Sequence, residues 1–209
     1  MLNKSDIEKI FERLQRENPN PTSELVANND FTFAIAVLLS AQTTDKLVNK
    51  VTKTLFEIAD TPEKMVELGV DKLKEYIHSV GFFNNKAKNI IKLSQMLIEQ
   101  YNSQLPTTRD DLEQLPGIGR KSANVIANRL FGSNTIAVDT HVLRVSKRLG
   151  LSKSTTPESV EKDLLSTVPE KYHKNASDWL VLHGRYICTA KKPKCSECCL
   201  FDICKSIKL

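Results

Sequence analysis

Apolar residues recur with a period near 3.6 along almost the whole chain, and that repeat leaves little room for anything but helices. Between residues 84 and 101, Ala87, Ile90, Ile91, Met96, Leu97 and Tyr101 fall near one face, with Lys86, Lys88 and Lys92 elsewhere. That is the pattern of a helix half in water. Residues 32–41 are apolar nearly all round, as a buried central helix requires, and residues 45–57 repeat Leu47, Val48, Val51 and Leu55. Thr156 is placed to cap a helix that opens with Pro157 at its first position. Residues 175–187, which carry the only tryptophan, Trp179, make a further helix. Residues 134–138 are short and have no partner strand, so they read as a loop. The expected class is all-α, built from short helices joined by tight turns and punctuated by seven glycines.

A chain of 209 residues can bury a real core, in one domain or two small ones. At 40% apolar and 26% charged it is an ordinary globular composition, not a disordered one. The longest strongly apolar stretch, residues 31–41, is about half of what a membrane span needs, so no membrane association is expected. The N-terminus, MLNKSDIEKIFERL, has no apolar signal-peptide core, which predicts a cytoplasmic, intracellular protein. An intracellular address argues against a disulfide framework, as does the odd count of five cysteines.

The net charge of +5 is modest, but its distribution is not even. Residues 117–150 carry six basic side chains and one acid, residues 184–209 six and two, and the remainder is net acidic. Two short basic windows are a plausible polyanion footprint, against the plainer reading that surface lysines cluster by chance.

The most informative stretch is residues 115–124, Leu-Pro-Gly-Ile-Gly-Arg-Lys-Ser-Ala-Asn. One helix, residues 108–115, ends at Pro116, and a second runs from near Gly119 to about residue 131. The turn between them carries Gly117 and Gly119, which permit positive φ and close approach of the backbone to a partner. Free N–H groups at the start of the second helix form a natural phosphate site, and Ile118 can point inward to pin the turn. A helix–turn–helix corner with no ligand is the plain alternative; Arg120 and Lys121 shift the balance toward phosphate.

Leu-Pro-Gly-Ile-Gly-Arg-Lys at 115–121 resembles the helix-hairpin-helix motif of the endonuclease III family of DNA repair glycosylases. Val138-Asp139-Thr140-His141-Val142, followed by Arg144 and Val145, resembles that family's aspartate motif. Residues 39–45 (Leu-Ser-Ala-Gln-Thr-Thr-Asp) and 81–87 (Gly-Phe-Phe-Asn-Asn-Lys-Ala) resemble its other two DNA-facing loops. The match spans roughly residues 20–204 in the expected order. It implies two helical domains, a helical barrel with the hairpin over residues 22–132 and a discontinuous iron–sulfur domain over 1–21 and 133–209. It also implies excision of oxidised pyrimidines from double-stranded DNA, followed by AP-lyase cleavage through a lysine Schiff base. The partner is then duplex DNA holding damaged pyrimidines or abasic sites, and a monomer is the default for an enzyme that wraps bent DNA.

Such an enzyme attacks C1′ of the damaged nucleotide with an amine, which must be neutral. An unperturbed lysine is only about 0.04% neutral at pH 7, so the nucleophile needs neighbouring cations or the positive end of a helix. Both flank Lys121 in the sequence, and the resemblance puts the nucleophile there; a phosphate-contacting surface lysine is the alternative. Asp139 precedes an amphipathic run and is placed to cap it. The resemblance makes it also the catalytic carboxylate, which stabilises positive charge on the sugar and assists proton transfer. His141 either contacts DNA or seats the helix.

A base inside a duplex must be flipped out before its sugar can be attacked, and something must fill the gap. By resemblance Gln42 hydrogen-bonds the orphaned partner base and Phe82 wedges between stacked bases. Core packing is the alternative for Phe82, and the family commonly carries an aliphatic residue at that position. Ser40, Thr43, Thr44, Asp45 and Lys86 take less definite roles around the pocket.

Cys188, Cys195, Cys198 and Cys204 have the spacing C-x6-C-x2-C-x5-C. Four thiolates within 17 residues can converge on zinc or an iron–sulfur cluster. Zinc ribbons usually separate two C-x2-C pairs by a dozen or more residues, so one compact quartet suits a cubane better. The resemblance makes this the [4Fe-4S] cluster of endonuclease III relatives. Cys199 is left over, either a free thiol or a ligand exchanged with Cys198. The expected role of the cluster is structural, holding the loop with Lys191, Lys192 and Lys194 toward the DNA backbone.

Two other functions fit less well. Monofunctional relatives, such as adenine or G/T mismatch glycosylases, lack the amine found at position 121. The chain also runs only five residues past Cys204, so no appended mismatch-reading domain is expected. A non-catalytic DNA-binding module would not need Lys121, Asp139 and both loops together.

Overall fold

The computed structural model describes residues 2–21 and 24–206, and among them there are ten α-helices and no strand. The chain divides into two compact units, residues 23–133 and residues 1–22 with 134–209.

The first unit holds α2 (Asp30–Ser40), α3 (Asp45–Ile58), α4 (Pro62–Ile77), α5 (Phe83–Tyr101), α6 (Arg109–Gln114) and α7 (Arg120–Phe131). Helix α2 is its axis, with Phe31 through Leu39 all buried, as its unbroken apolar sequence demands. Each of its large side chains contributes roughly 1.5–3 kcal/mol by leaving water. Asn29 caps it in a reciprocal box with Thr32. Helices α3, α5 and α7 pack on α2, α4 packs on α5, and α6 on α7. Sequence periodicity did not single out α4, which is broken at Gly69 so that its apolar face does not run through.

In α5 the helical period is present, but the buried set is Lys86, Ala87, Ile90, Leu93, Ser94 and Leu97. Ile91, Met96 and Tyr101 lie at its margin. The expectation that Lys86 belongs to the polar face is therefore wrong, for a reason that lies in another helix.

The second unit holds α1 (Lys4–Glu17), α8 (Thr140–Leu149), α9 (Pro157–Thr167) and α10 (His173–Tyr186), followed by a tail. Thr156 and Asp139 cap α9 and α8 as their positions predict. Residues 136–138 are a buried loop, not a strand. Phe11, Tyr172 and Trp179 form an aromatic centre with ring centroids 5.6–6.3 Å apart. The Trp179 indole N–H donates to the Asn18 carbonyl at 2.8 Å. Helices α8 and α10 cross closely at Gly184, where a Cβ would stand 3.0 Å from that of His141 and 3.1 Å from Val145.

Candidate functional site

The hairpin joins α6 to α7. Ile118 is buried, and its N–H closes the turn on the Leu115 carbonyl at 3.0 Å. Gly117 has φ 84, and a Cβ there would lie 2.9 Å from Asn89 Cβ and 3.0 Å from Leu38 Cδ1. Only glycine can make this turn while lying against α5 and α2. Gly119 differs from expectation: its φ is −94, extended backbone open to any residue. A Cβ at Gly119 would meet nothing within 4 Å, so it leaves open space before the helix.

Helix α7 starts with no side-chain cap, unlike α1, α2, α3, α4, α6, α8 and α9. No N-cap side chain therefore meets the positive end of its dipole, which is where a helix can receive an anion. Lys121 is exposed on that first turn and Arg120 half-buried.

Two other segments of the same unit carry candidates. Gln42 is exposed and holds a left-handed φ of 55 between α2 and α3. Phe82 is 66% exposed, with φ 58, at the uncapped start of α5. That exposure removes core packing as its role. Left-handed backbone at a glutamine or a phenylalanine costs about 1–2 kcal/mol and is characteristic of sites where position matters more than stability. The two segments lie side by side: a Cβ at Gly81 would stand in ordinary contact with the Gln42 carbonyl oxygen, at 3.5 Å. Thr44 caps α3, and the Ser40 hydroxyl donates to the Val37 carbonyl; these two side chains are engaged in local structure.

Asp139 is half-buried, and its Oδ1 accepts the N–H groups of both His141 and Val142 at 2.8 Å. The cap fixes the carboxylate's direction. His141 Nδ1 lies 3.2 Å from the Arg144 guanidinium, so its ring is held against its own helix.

At the other end of α8 lies the cysteine tail. Cys188, Cys195, Cys198 and Cys204 line one cavity of about 30 Å³ with His183 and Phe201. Cys199 does not line it; it packs on the apolar core, and its carbonyl accepts from Arg13 at 2.8 Å. The structure thus brings Cys188, Cys195, Cys198 and Cys204 to one cavity and leaves Cys199 outside it. Burial pushes the Cys198 thiol up to about 11 and pulls His183 down to about 4, so a metal centre held by Cys198 would have to displace that proton. Thiolates on one zinc ion would stand about 3.8 Å apart, from Zn–S bonds of about 2.3 Å. Among the described residues no three His, Cys, Asp or Glu side chains are grouped for a single metal ion. Four thiols spread around one cavity fit a polynuclear cluster with its own bridging sulfides.

Arg144 and Arg148 hold the backbone around the tail, a part the sequence does not give them: Arg148 counts there only as charge, and Arg144 as charge and as a member of the aspartate motif. Arg148 donates to the carbonyls of Thr189 (2.7 Å) and Ala190 (2.9 Å) and lies 3.4 Å from Cys188 Sγ. Arg144 donates to the carbonyls of Gly184 (2.8 Å) and Cys188 (3.2 Å). Part of the first basic window thus points into the protein and not toward a polyanion. Their spacing of four on one helix face was the available signal. Lys191 and Lys192 are exposed on the loop that these arginines hold.

Residues 35–170 match the family model of the HhH-GPD superfamily base excision DNA repair proteins. Residues 188–204 match that of the iron–sulfur binding domain of endonuclease III. The chain is 54% identical over 199 residues to endonuclease III of Rickettsia felis, covering 95% of this chain and 93% of that protein. It is 48% identical over 204 residues to endonuclease III of Escherichia coli K12, covering 98% and 97%. A solved structure of a trapped endonuclease III–DNA covalent intermediate superposes with TM-score 0.93 at 44% identity, covering 99% of this chain and 97% of that one. A thermostable thymine-DNA glycosylase shares the fold, with TM-score 0.85 at 20% identity.

Proposed function

The chain belongs to the endonuclease III family, within the HhH-GPD superfamily of base excision DNA repair proteins, and from that premise we propose how its own residues divide the work. It is a bifunctional DNA glycosylase and AP lyase that carries a [4Fe-4S] cluster. Its two compact units serve as the hairpin domain and the cluster domain.

Lys121 is the nucleophile. Its neutral amine attacks C1′, and the bond from C1′ to the base breaks with the electron pair leaving on the base. Opening of the sugar ring gives a Schiff base. Loss of a proton from C2′ then expels the 3′ oxygen and cuts the strand, and water releases Lys121 from the sugar. Asp139 stabilises the positive charge on the sugar and accepts or returns protons. The N–H groups around Gly117 and Gly119, with Arg120, hold a phosphate. Gln42 pairs with the orphaned base and Phe82 fills the stack. Lys191 and Lys192 face the DNA backbone, and His141, held by Arg144, seats its helix. Cys188, Cys195, Cys198 and Cys204 hold the cluster, which when bound cross-links the tail.

The observation that carries this reading is the exposed amine of Lys121 on a helix start that no side chain caps. We further propose that the base removed is an oxidised pyrimidine, and that the enzyme acts as an intracellular monomer on nucleoid DNA. The test is borohydride trapping on duplexes with thymine glycol or an abasic site. Wild type gives a covalent adduct, and Lys121→Gln loses both the adduct and strand cleavage. Asp139→Asn keeps the cap, because asparagine caps as well as aspartate, and so isolates the charge: the helix stays and turnover falls. An adduct that survives in Lys121→Gln overturns the assignment, and no excision of thymine glycol overturns the lesion class.

A further inference from the structure

Among the described residues Lys86 is the only lysine or arginine that is buried, at 7% exposure. Its Nζ donates to the carbonyls of Leu39 at 2.9 Å and Ala41 at 2.6 Å, and to Thr43 Oγ1 at 3.3 Å. An ammonium has three donors and no acceptor, and here it meets three acceptors. Two of them lie at the negative, C-terminal end of α2, a helix with no basic residue of its own in the last turn. Burial pulls the lysine's pKa down; the three acceptors favour the charged form.

Between the second and third acceptor stands Gln42, with its left-handed φ of 55. The backbone of the same lysine reaches the other left-handed candidate, since the Lys86 N–H donates to the Phe82 carbonyl at 3.1 Å. A single residue is thus joined through its main chain to the Phe82 turn and through its side chain to the Gln42 turn. The two turns touch at Gly81. The main-chain link is the ordinary first hydrogen bond of α5; the side-chain link, which crosses to acceptors on either side of Gln42, is particular to this lysine.

We propose that Lys86 is a positioning residue that holds the Gln42 turn and the Phe82 turn in one register, so that Gln42 reads the base left opposite the flipped nucleotide. This rests on the role proposed above for Gln42. Lys86, buried, acts through Ala41 and Thr43, the residues on either side of Gln42.

The test is single-turnover strand cleavage at an abasic site in four duplexes that differ only in the opposite base. Wild type, Lys86→Met, Gln42→Ala and the double variant are compared at a temperature where all keep their helical circular dichroism. Wild-type rates spread with the opposite base. Gln42→Ala narrows that spread about fivefold, the equivalent of one neutral hydrogen bond. Lys86→Met narrows it by the same factor, and the double variant is no narrower than either single one. If Lys86→Met slows all four duplexes equally, it only stabilises the fold and the proposal is overturned. Additive narrowing overturns it as well. A spread that is absent in wild type, or intact in Gln42→Ala, removes the role of Gln42, and the proposal falls at its premise in a pattern unlike the other two. Lys86→Gln, which keeps one donor, is read in the same way should Lys86→Met not fold.

Discussion

The loops of residues 23–133 and the cysteine tail of residues 188–204 present candidate side chains by different physical means. The Gln42, Phe82 and Gly117 turns are fixed by what lies beneath them: nine consecutive buried residues of α2, a buried lysine, and a glycine with no space for a Cβ. The tail has only one short 3-10 turn, Cys195–Glu197, with no buried residue in it. Its backbone is held by guanidinium groups, from Arg144 and Arg148 on α8 and from Arg13 on α1. Dense apolar packing can hold a left-handed turn against its strain. A segment of this length has too little apolar surface to do that, and cross-links take its place.

The largest effect expected is on the tail. Cys195→Ser removes a cluster ligand and should lose iron, visible absorbance and several kcal/mol of stability together. Cys199→Ser should keep iron and colour, because that sulfur does not line the cavity. Iron analysis and thermal melts decide between them. Iron retained in Cys195→Ser with full DNA affinity would break the view that the tail depends on cross-links.

Next comes the hairpin. Gly117→Ala adds a Cβ 2.9 Å from Asn89 Cβ at a positive φ, so strain and overpacking together should cost about 2–4 kcal/mol. Gly119→Ala adds one into open space at φ −94, and should cost under about 1 kcal/mol, mainly as a poorer cap. Denaturant midpoints measure both. Equal costs at the two positions would mean that packing against α5 and α2 does not fix the turn.

The smallest effect on stability sharpens the contrast in charge. Lys191→Gln with Lys192→Gln should change stability by less than about 0.5 kcal/mol. It should lower the salt dependence of DNA binding by about two in slope, one per phosphate contact. An unchanged slope in a fluorescence titration would remove these lysines from the interface.

Much of this was legible locally. Thr156, Pro157 and Asp139 announce their helix starts because a cap involves residues two or three positions apart. The cysteine spacing named the four that share a cavity, yet nothing in the sequence separated Cys198 from Cys199. Their orientation follows from how the tail lies on the core, where Cys199 faces Arg13. The two hairpin glycines look equivalent in sequence, but only Gly117 needs to be one, because only Gly117 lies against two other helices. The basic window around residues 117–150 was read by total charge, which cannot distinguish an arginine facing solvent from one facing a carbonyl.

What the sequence by itself determined is the all-α class and most helix starts, with the family and its chemistry following from motifs that are contiguous in the chain. Only the tertiary structure decided which charges are internal. Lys86 finds acceptors 45 and 47 residues away, and Arg148 finds them 41 and 42 residues away. Local pattern places a charged side chain in water by default, since burying an ammonium is unfavourable unless acceptors surround it. Whether those acceptors exist is a property of the packed helices and not of the lysine's neighbours in the chain.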